Sequence, residues 1–309
     1  MSSGAHVPVL LGPVLEGLAI RADGCYVDGT FGRGGHSGAI LELLGAGGRL
    51  IAIDRDPQAI ASAPPRLSAD PRFELLRSEF AELETCIAER GLTGGVDGLL
   101  LDLGVSSPQL DEPARGFSFL RDGPLDMRMD PEAGVSAADW LQTVDEKSLK
   151  HVLKFYGEEK HAARIARDIV CARKERPIRQ TGQLADIVAQ SANPRAHKRH
   201  PATRTFQAIR IFINRELEQL QAVLDQSIEV LAPGGRLCVI SFHSLEDRMV
   251  KRFIRDASLE PQQFRGMPNV PPQYRPKLRT VGRAGKASAD EIAANPRARS
   301  ARLRVAERV

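Results

Sequence analysis

The chain has 309 residues, 42% hydrophobic and 27% charged, with four cysteines and a net charge of +4. It can bury a sizeable core as one large domain or two ordinary ones, and no apolar run approaches membrane-spanning length. The cysteines, Cys25, Cys86, Cys171 and Cys238, stand far apart with no CxxC pair and no metal-like His/Cys spacing, so neither a disulfide framework nor a metal site is expected.

The start of the chain has no basic segment ahead of an apolar core, which predicts a cytoplasmic protein without a signal peptide. Charge is unevenly spread. Residues 1–150 hold 13 basic and 23 acidic side chains, whereas residues 151–215 hold 14 and 5, and residues 261–309 hold 11 and 3. Basic segments on an otherwise acidic chain suit a polyanion, most often nucleic acid.

A short amphipathic lead-in over 7–20 precedes a first strand at Cys25–Asp28. The glycine-rich loop Gly29-Thr30-Phe31-Gly32-Arg33-Gly34-Gly35-His36-Ser37 follows, and the spacing of Ala39, Ile40, Leu43 and Leu44 predicts a helix after it. Strand, loop and helix together suit a nucleotide-like ligand at a sheet edge. A second strand, Arg49–Asp54, leads to a helix that Asp56 can cap, with Pro57 in its first position. A third strand over 73–76, a helix over 81–90 and a fourth strand, Val96–Asp102, continue an alternation that argues for a parallel α/β sheet.

The next convincing strand, Leu237–Ser241, comes more than 130 residues later, far more than one crossover needs. Most of the interval is therefore an insertion. Helical spacing over 137–144, 146–155, 159–174 and 183–190 makes it all-α, and a single long helix over 203–231 leads back to the sheet. Pro233-Gly234-Gly235 should end that helix and turn the chain into the fifth strand. Residues 261–285, rich in Pro, Gly and Arg, read as a long basic loop, and Arg302–Val305 as a final edge strand.

Asp54 stands about 20 residues after the glycine loop, at the carboxyl end of the second strand, where a carboxylate can accept both hydroxyls of a ribose. That pairing fits NAD as well as S-adenosylmethionine, but not a P-loop, which needs a following Lys-Ser/Thr. Two features favour a methyltransferase. The Leu231–Leu237 turn resembles the one before the fifth strand of class I methyltransferases. Asp102-Leu103-Gly104-Val105-Ser106-Ser107-Pro108-Gln109 ends the fourth strand, where amino-methyltransferases carry an Asp/Asn/Ser-Pro-Pro-aromatic motif; Ser107-Pro108 matches its first half and Gln109 replaces the second proline. An exocyclic amine is a poor nucleophile because its lone pair is delocalised. Acceptors that bind its N–H groups free the lone pair, and transfer is then displacement helped by alignment. A C5 mechanism would need a thiolate, and no cysteine lies beside these motifs.

These motifs, with His6–Leu11, Arg115–Phe119, Gly123–Met129, His200–Gln207, Ser241–Arg248 and Asn295–Ser300, resemble the MraW family, the ribosomal RNA small subunit methyltransferase H enzymes, almost end to end. The resemblance implies an α/β, class I Rossmann-like S-adenosylmethionine-dependent methyltransferase with an inserted all-α domain. Residues 1–112 and 213–309 would form the methyltransferase domain and 113–212 the substrate-recognition domain. The implied reaction moves methyl from S-adenosyl-L-methionine to N4 of a cytidine in the decoding region of 16S rRNA, within the small ribosomal subunit, and a homodimer is allowed.

The same resemblance places the cofactor on Gly34, Gly35, His36, Asp54, Phe80, Asp102 and Gln109. Asp102, Ser106, Ser107, Pro108 and His243 are the catalytic candidates. Phe117, Phe119 and Phe242 could stack on the acceptor base, while Asp126, Arg128, Arg199, His200 and Arg204 could hold the substrate. Lys198 and Arg210, and Arg275, Lys277, Arg279 and Arg283 nearer the C-terminus, are further phosphate candidates. An amino-methyltransferase of DNA or protein, or a non-catalytic RNA-binding assembly factor, remains the alternative; a dehydrogenase is the weakest.

Overall fold

The computed structural model describes residues 8–191, 200–260, 262–264, 268 and 270–309. The chain divides into two compact units, Met1–Gly104 with Leu217–Val309, and Val105–Glu216.

The first unit is built on seven strands: β1 (Cys25–Asp28), β2 (Arg49–Asp54), β3 (Phe73–Arg77), β4 (Val96–Asp102), β5 (Leu231–Ser241), β6 (Leu278–Lys286) and β7 (Arg302–Arg308). Their order is β3-β2-β1-β4-β5-β7-β6. The first five run parallel, and β7 is antiparallel to both β5 and β6. Between β1 and β4 the order reverses direction, and in open α/β sheets ligands bind at such a switch, at the carboxyl ends of the strands. An antiparallel strand between the fifth and the outermost strand departs from the wholly parallel 3-2-1-4-5-6 dinucleotide fold.

Alternation along the strands sorts the core onto two faces. Val27, Ile51, Leu99, Leu101 and Val239 belong to one cluster, with Leu220 and Leu224. Tyr26, Leu50, Ala52, Leu100 and Ile240 belong to the other, with Val14 and Leu18. Helix α1 (Leu11–Leu18) precedes β1, and α2 (Gly35–Leu43), α3 (Pro57–Ala61), α4 (Pro65–Ser68) and α5 (Leu83–Ala88) lie between the strands. Asp56 caps α3 as expected, accepting from the Gln58 N–H at 2.9 Å with Pro57 opening the helix.

The second unit is helical: α6 (Ser107–Asp111), α7 (Ala137–Thr143), α8 (Glu146–Gly157), α9 (Ala162–Glu175), α10 (Thr181–Ser191) and α11 (Ala202–Ile213). Leu149, Leu153, Ile165, Ile169, Leu184 and Ile209 form its buried centre.

Three expectations need correction. The long helix over 203–231 is two, α11 and α12 (Glu216–Val230), because Arg215 turns left-handed at φ 51°. Residues 231–241 all belong to β5, and Pro233-Gly234-Gly235 bulges out where the register jumps from Val96↔Leu231 to Gly98↔Arg236. The basic loop over 261–285 ends in strand β6, and this puts β7 inside the sheet instead of at its edge. Helices α13 (Ser244–Ala257) and α14 (Ala289–Ala294) complete the first unit. Among the described residues, no helix is long and apolar enough to cross a membrane.

Candidate active site

The carboxyl edge of β1, β2 and β4 gathers the chemistry of the first unit. Gly34 sits at φ 70° ahead of α2, in the left-handed region, and a Cβ there would come within 2.7–2.8 Å of the Phe31 ring and the Leu67 methyl. Only glycine fits. Asp54, the last residue of β2, holds this turn. Its Oδ2 accepts from the Gly32 N–H at 2.8 Å and its Oδ1 from the Asp56 N–H at 2.9 Å. Phe80 opens a short 3-10 turn directly after β3, half-buried against the sheet.

Two more acids stand beside this turn. Asp28 is 1% exposed; it accepts from Ser37 Oγ at 2.6 Å and from the Thr30 N–H at 3.1 Å. The Asp102 N–H donates to Thr30 Oγ1 at 2.7 Å, which ties β4 to the glycine loop. Oδ2 of Asp102 lies 3.6 Å from Nδ1 of the buried His36. Oδ1 of Asp102 is buried with no hydrogen-bond partner among the described residues. Desolvation pushes both Asp54 and Asp102 up to about 6; backbone hydrogen bonds from Asp56 and Gly32 oppose it at Asp54, and His36 opposes it at Asp102. Burial raises Asp28 as well, and its charge in turn raises the other two. One buried acid and two half-buried ones, with one free oxygen, suit a cationic ligand.

Past Asp102 the chain turns at Gly104, φ 97°, and the Phe242 ring lies beside it. His243 has structural work to do. Its Nδ1 accepts from the Glu246 N–H at 3.4 Å, while Glu246 returns a carboxylate to the Phe242 and His243 N–H groups at 2.8 and 3.2 Å. Together they form the capping box that opens α13.

In the second unit the pattern repeats. Ser106 precedes α6, Ser107 begins it and Pro108 lies in its first turn. Oε1 of the buried Gln109 accepts from the Ser106 N–H at 2.9 Å, so this side chain serves as a cap. Asp126 and Arg128 bind each other, with bonds of 2.9 and 2.7 Å from the guanidinium and 2.9 Å from the Arg128 N–H. Phe117 is 6% exposed and belongs to the core, with the Arg115 guanidinium 5.7 Å from its ring centre. Phe119 and His200 do come together, ring centres 4.6 Å apart. Arg204 is exposed and donates to the Glu158 carbonyl at 3.3 Å. Arg210 is paired with Glu216. Lys198 and Arg199 fall outside the described residues.

No cysteine joins either group. Cys238 lies within β5, and burial pushes its thiol up to about 12, so it stays protonated. Asp28, Thr30 and Ser37 were not singled out from sequence, although all three flank or lie in the glycine loop. Asn214 is a further omission: its Nδ2 donates to the Met127 carbonyl at 2.7 Å and its Oδ1 accepts from the Met129 N–H at 2.8 Å. It thereby holds Met127 left-handed, φ 63°, between Asp126 and Arg128.

A family profile described as the MraW methylase family matches residues 3–309. The chain is also similar to three solved structures at low identity. A candidate rRNA-methylase of Clostridium thermocellum is 13% identical, with 99% of this chain and 100% of that one covered and a TM-score of 0.44. An rRNA methylase of Streptococcus thermophilus is 13% identical, with 99% of each covered and a TM-score of 0.41. A candidate methyltransferase of Streptococcus mutans, solved with SAH, is 10% identical, with 98% and 100% covered and a TM-score of 0.43.

Proposed function

The chain belongs to the MraW methylase family, and from that premise we propose that it transfers methyl from S-adenosyl-L-methionine to the N4 amine of a cytidine in the decoding region of 16S rRNA. S-adenosyl-L-methionine is the methyl donor. It supplies an electrophilic methyl on a sulfonium, which carries positive charge. The acidic edge fits that charge, and it would repel the pyrophosphate of a dinucleotide.

The observation that carries the reading is Asp102: a buried carboxylate oxygen without a partner, at the end of β4, beside the glycine turn. In this reading Gly34, Gly35 and His36 receive the methionine end of the cofactor, Asp54 the ribose hydroxyls, and Phe80 one face of the adenine. Asp102 accepts an N–H of the incoming amine and frees its lone pair for displacement. Ser106, Ser107, Pro108 and Gln109 are the acceptor-side candidates of the second unit, which we read as the substrate-recognition domain. Phe119 with His200 there, and Phe242 on the first unit, are the rings available to stack on a base. No cysteine stands among the residues of this edge, which favours attack by nitrogen over a covalent C5 route.

The test is direct. The protein is incubated with labelled S-adenosylmethionine and, separately, naked 16S rRNA, small ribosomal subunits and DNA, and the products are digested to nucleosides. Label in N4-methylcytidine is expected from rRNA or subunits. Label in DNA alone, or in the protein itself, would replace this reading with that of another amino-methyltransferase.

A further inference from the structure

The second half of α13 and the β6–β7 pair line a half-open pocket of about 280 Å³ that the reaction above does not use. Its floor is apolar, with Ile254, Val281 and Val305. Four of its twelve lining residues are Lys or Arg and none is Asp or Glu, so the field inside it is positive. Arg304 and Arg255 are partly offset by Asp247 and Asp256 behind them. Lys251 and Arg283 are exposed and have no ion-pair partner among the described residues. Oγ of Ser258, which also lines the cavity, is buried without a hydrogen-bond partner among those residues.

The backbone shapes this place. Strand β6 pairs only with β7, and their register slips between Val281 and Gly285, with Gly282 left-handed at φ 65°. A bulge re-aims side chains, and here Val281 and Arg283 both reach the cavity. Cations on an outer strand often only discourage edge-to-edge pairing. That explanation covers Arg279 and Lys286, but not Lys251 on a helix, nor an apolar floor beneath the charges.

We propose that this cavity is an auxiliary RNA site, which takes one nucleotide of a single-stranded stretch flanking the target cytidine. The phosphate lies against Lys251 and Arg283, and the sugar and base cover Ile254, Val281 and Val305. The volume sits at the lower end of ligand pockets, roughly 300 Å³, too small for a helix of RNA. Lys251 and Arg255 stand seven and eleven residues into a helix that begins beside Phe242, about 10–16 Å along its axis. The site therefore grips RNA at a distance from the transferred methyl. This inference rests on the reading that the substrate is RNA.

The test compares the full-length chain with its Lys251→Glu/Arg283→Glu variant. Binding of a fluorescein-labelled 12-nucleotide oligo(C) RNA is followed by anisotropy across a salt series, alongside methylation of small ribosomal subunits. The variant should lose about tenfold in RNA affinity, and its slope of log K against log salt should fall by about 0.7, the value for one phosphate neutralised on a single strand. S-adenosylmethionine affinity by calorimetry should not change. If the reversal unfolds the chain, Lys251→Gln/Arg283→Gln carries the test with a loss of about threefold. Unchanged RNA affinity in a folded variant overturns the proposal, and so does an equal loss in Arg66→Glu/Arg299→Glu, two exposed cations elsewhere on the first unit, which would make the effect one of net charge. A wild-type chain that methylates DNA or protein but not rRNA overturns the RNA reading itself, and this site with it.

Discussion

His36 Nδ1 stands 3.6 Å from Asp102 Oδ2, while the other nitrogen of the same ring, Nε2, is 3.0 Å from the Val9 carbonyl. A carbonyl only accepts, so Nε2 carries a proton. A neutral His36 would then aim the Nδ1 lone pair at a carboxylate. The pair is comfortable only when a proton lies between them, on one partner or the other. Desolvation raises Asp102 to about 6 while His36 opposes the rise, so it is burial that makes this edge favour an extra proton before its cationic ligand arrives.

The consequence for stability has a definite sign. An unfolded aspartate titrates near 3.9, and folded Asp102 near 6. The folded state binds the proton more tightly, so this contribution is full below about pH 4 and is lost as pH rises to about 6. Asp102→Asn removes the penalty. The variant should be more stable than wild type at pH 7.5, and the difference should shrink toward pH 5. A shift of about two units corresponds to roughly 3 kcal/mol, but the side chain is 26% exposed, so we expect about 1–2 kcal/mol. Urea melts of both proteins at the two pH values measure it. Methyl transfer by Asp102→Asn should fall at least about 100-fold, since the amide offers the amine a weaker acceptor than a carboxylate.

The same acids make cofactor affinity pH-dependent. A sulfonium favours ionised Asp54 and Asp102, so affinity should hold above pH 7 and weaken as pH falls through about 6. Calorimetry at pH 7.5 and pH 5.5 checks this, and affinity that rises on acidification would exclude both acids from the cofactor's surroundings. Asp54→Ala should lose binding by about 100-fold or more, through two charge-assisted hydrogen bonds and the glycine turn that Asp54 holds. A melting curve on the same sample separates that loss from unfolding.

Much of this edge was legible in the sequence, because it rests on local rules. Strands β1, β2 and β4 are short apolar runs, and Asp56-Pro57 is a helix start in any context. What escaped has physical reasons. The apolar spacing of α11 runs on without a break into α12, so periodicity cannot see the turn; only Asn214, a residue at ease near a helix end, marks it. Strand β6 is an outer strand held by backbone hydrogen bonds to β7, and its exposed polar side chains carry no alternating signal. Gln109, His243, Asp126 and Arg128 belong to the residue types that do chemistry, and they are the same types that cap helices and pair with each other. Composition cannot tell those uses apart, whereas the hydrogen bonds show the capping and the pairing directly.

Asn214 gives a prediction in the helical unit. It satisfies one buried donor and one buried acceptor and keeps Met127 in a conformation that costs a non-glycine residue about 1 kcal/mol or more. Asn214→Ala should destabilise the unit by about 2–4 kcal/mol. Asn214→Asp keeps the acceptor for the Met129 N–H but sets a carboxylate against the Met127 carbonyl, so it should be no better than Ala at neutral pH. Denaturant melts, with hydrogen exchange read at 115–129, would show whether the loss is local. An effect below about 0.5 kcal/mol, the size expected of an ordinary surface change, would mean that the loop holds itself.

Two glycines of like backbone and unlike surroundings separate strain from crowding. Gly34 and Gly282 have φ of 70° and 65°. A Cβ on Gly282 would meet nothing within 4 Å, whereas one on Gly34 would press into Phe31 and Leu67 at 2.7–2.8 Å. Gly282→Ala should therefore cost only the left-handed penalty, about 1 kcal/mol, and leave cofactor affinity untouched. Gly34→Ala carries that penalty plus overpacking, about 1–3 kcal/mol more, and it displaces the turn that Asp54 holds. It should lose cofactor binding while the chain still melts cooperatively. Equal stability losses in the two variants would mean that Phe31 and Leu67 yield freely, and retained affinity in Gly34→Ala would remove the left-handed turn from the cofactor site.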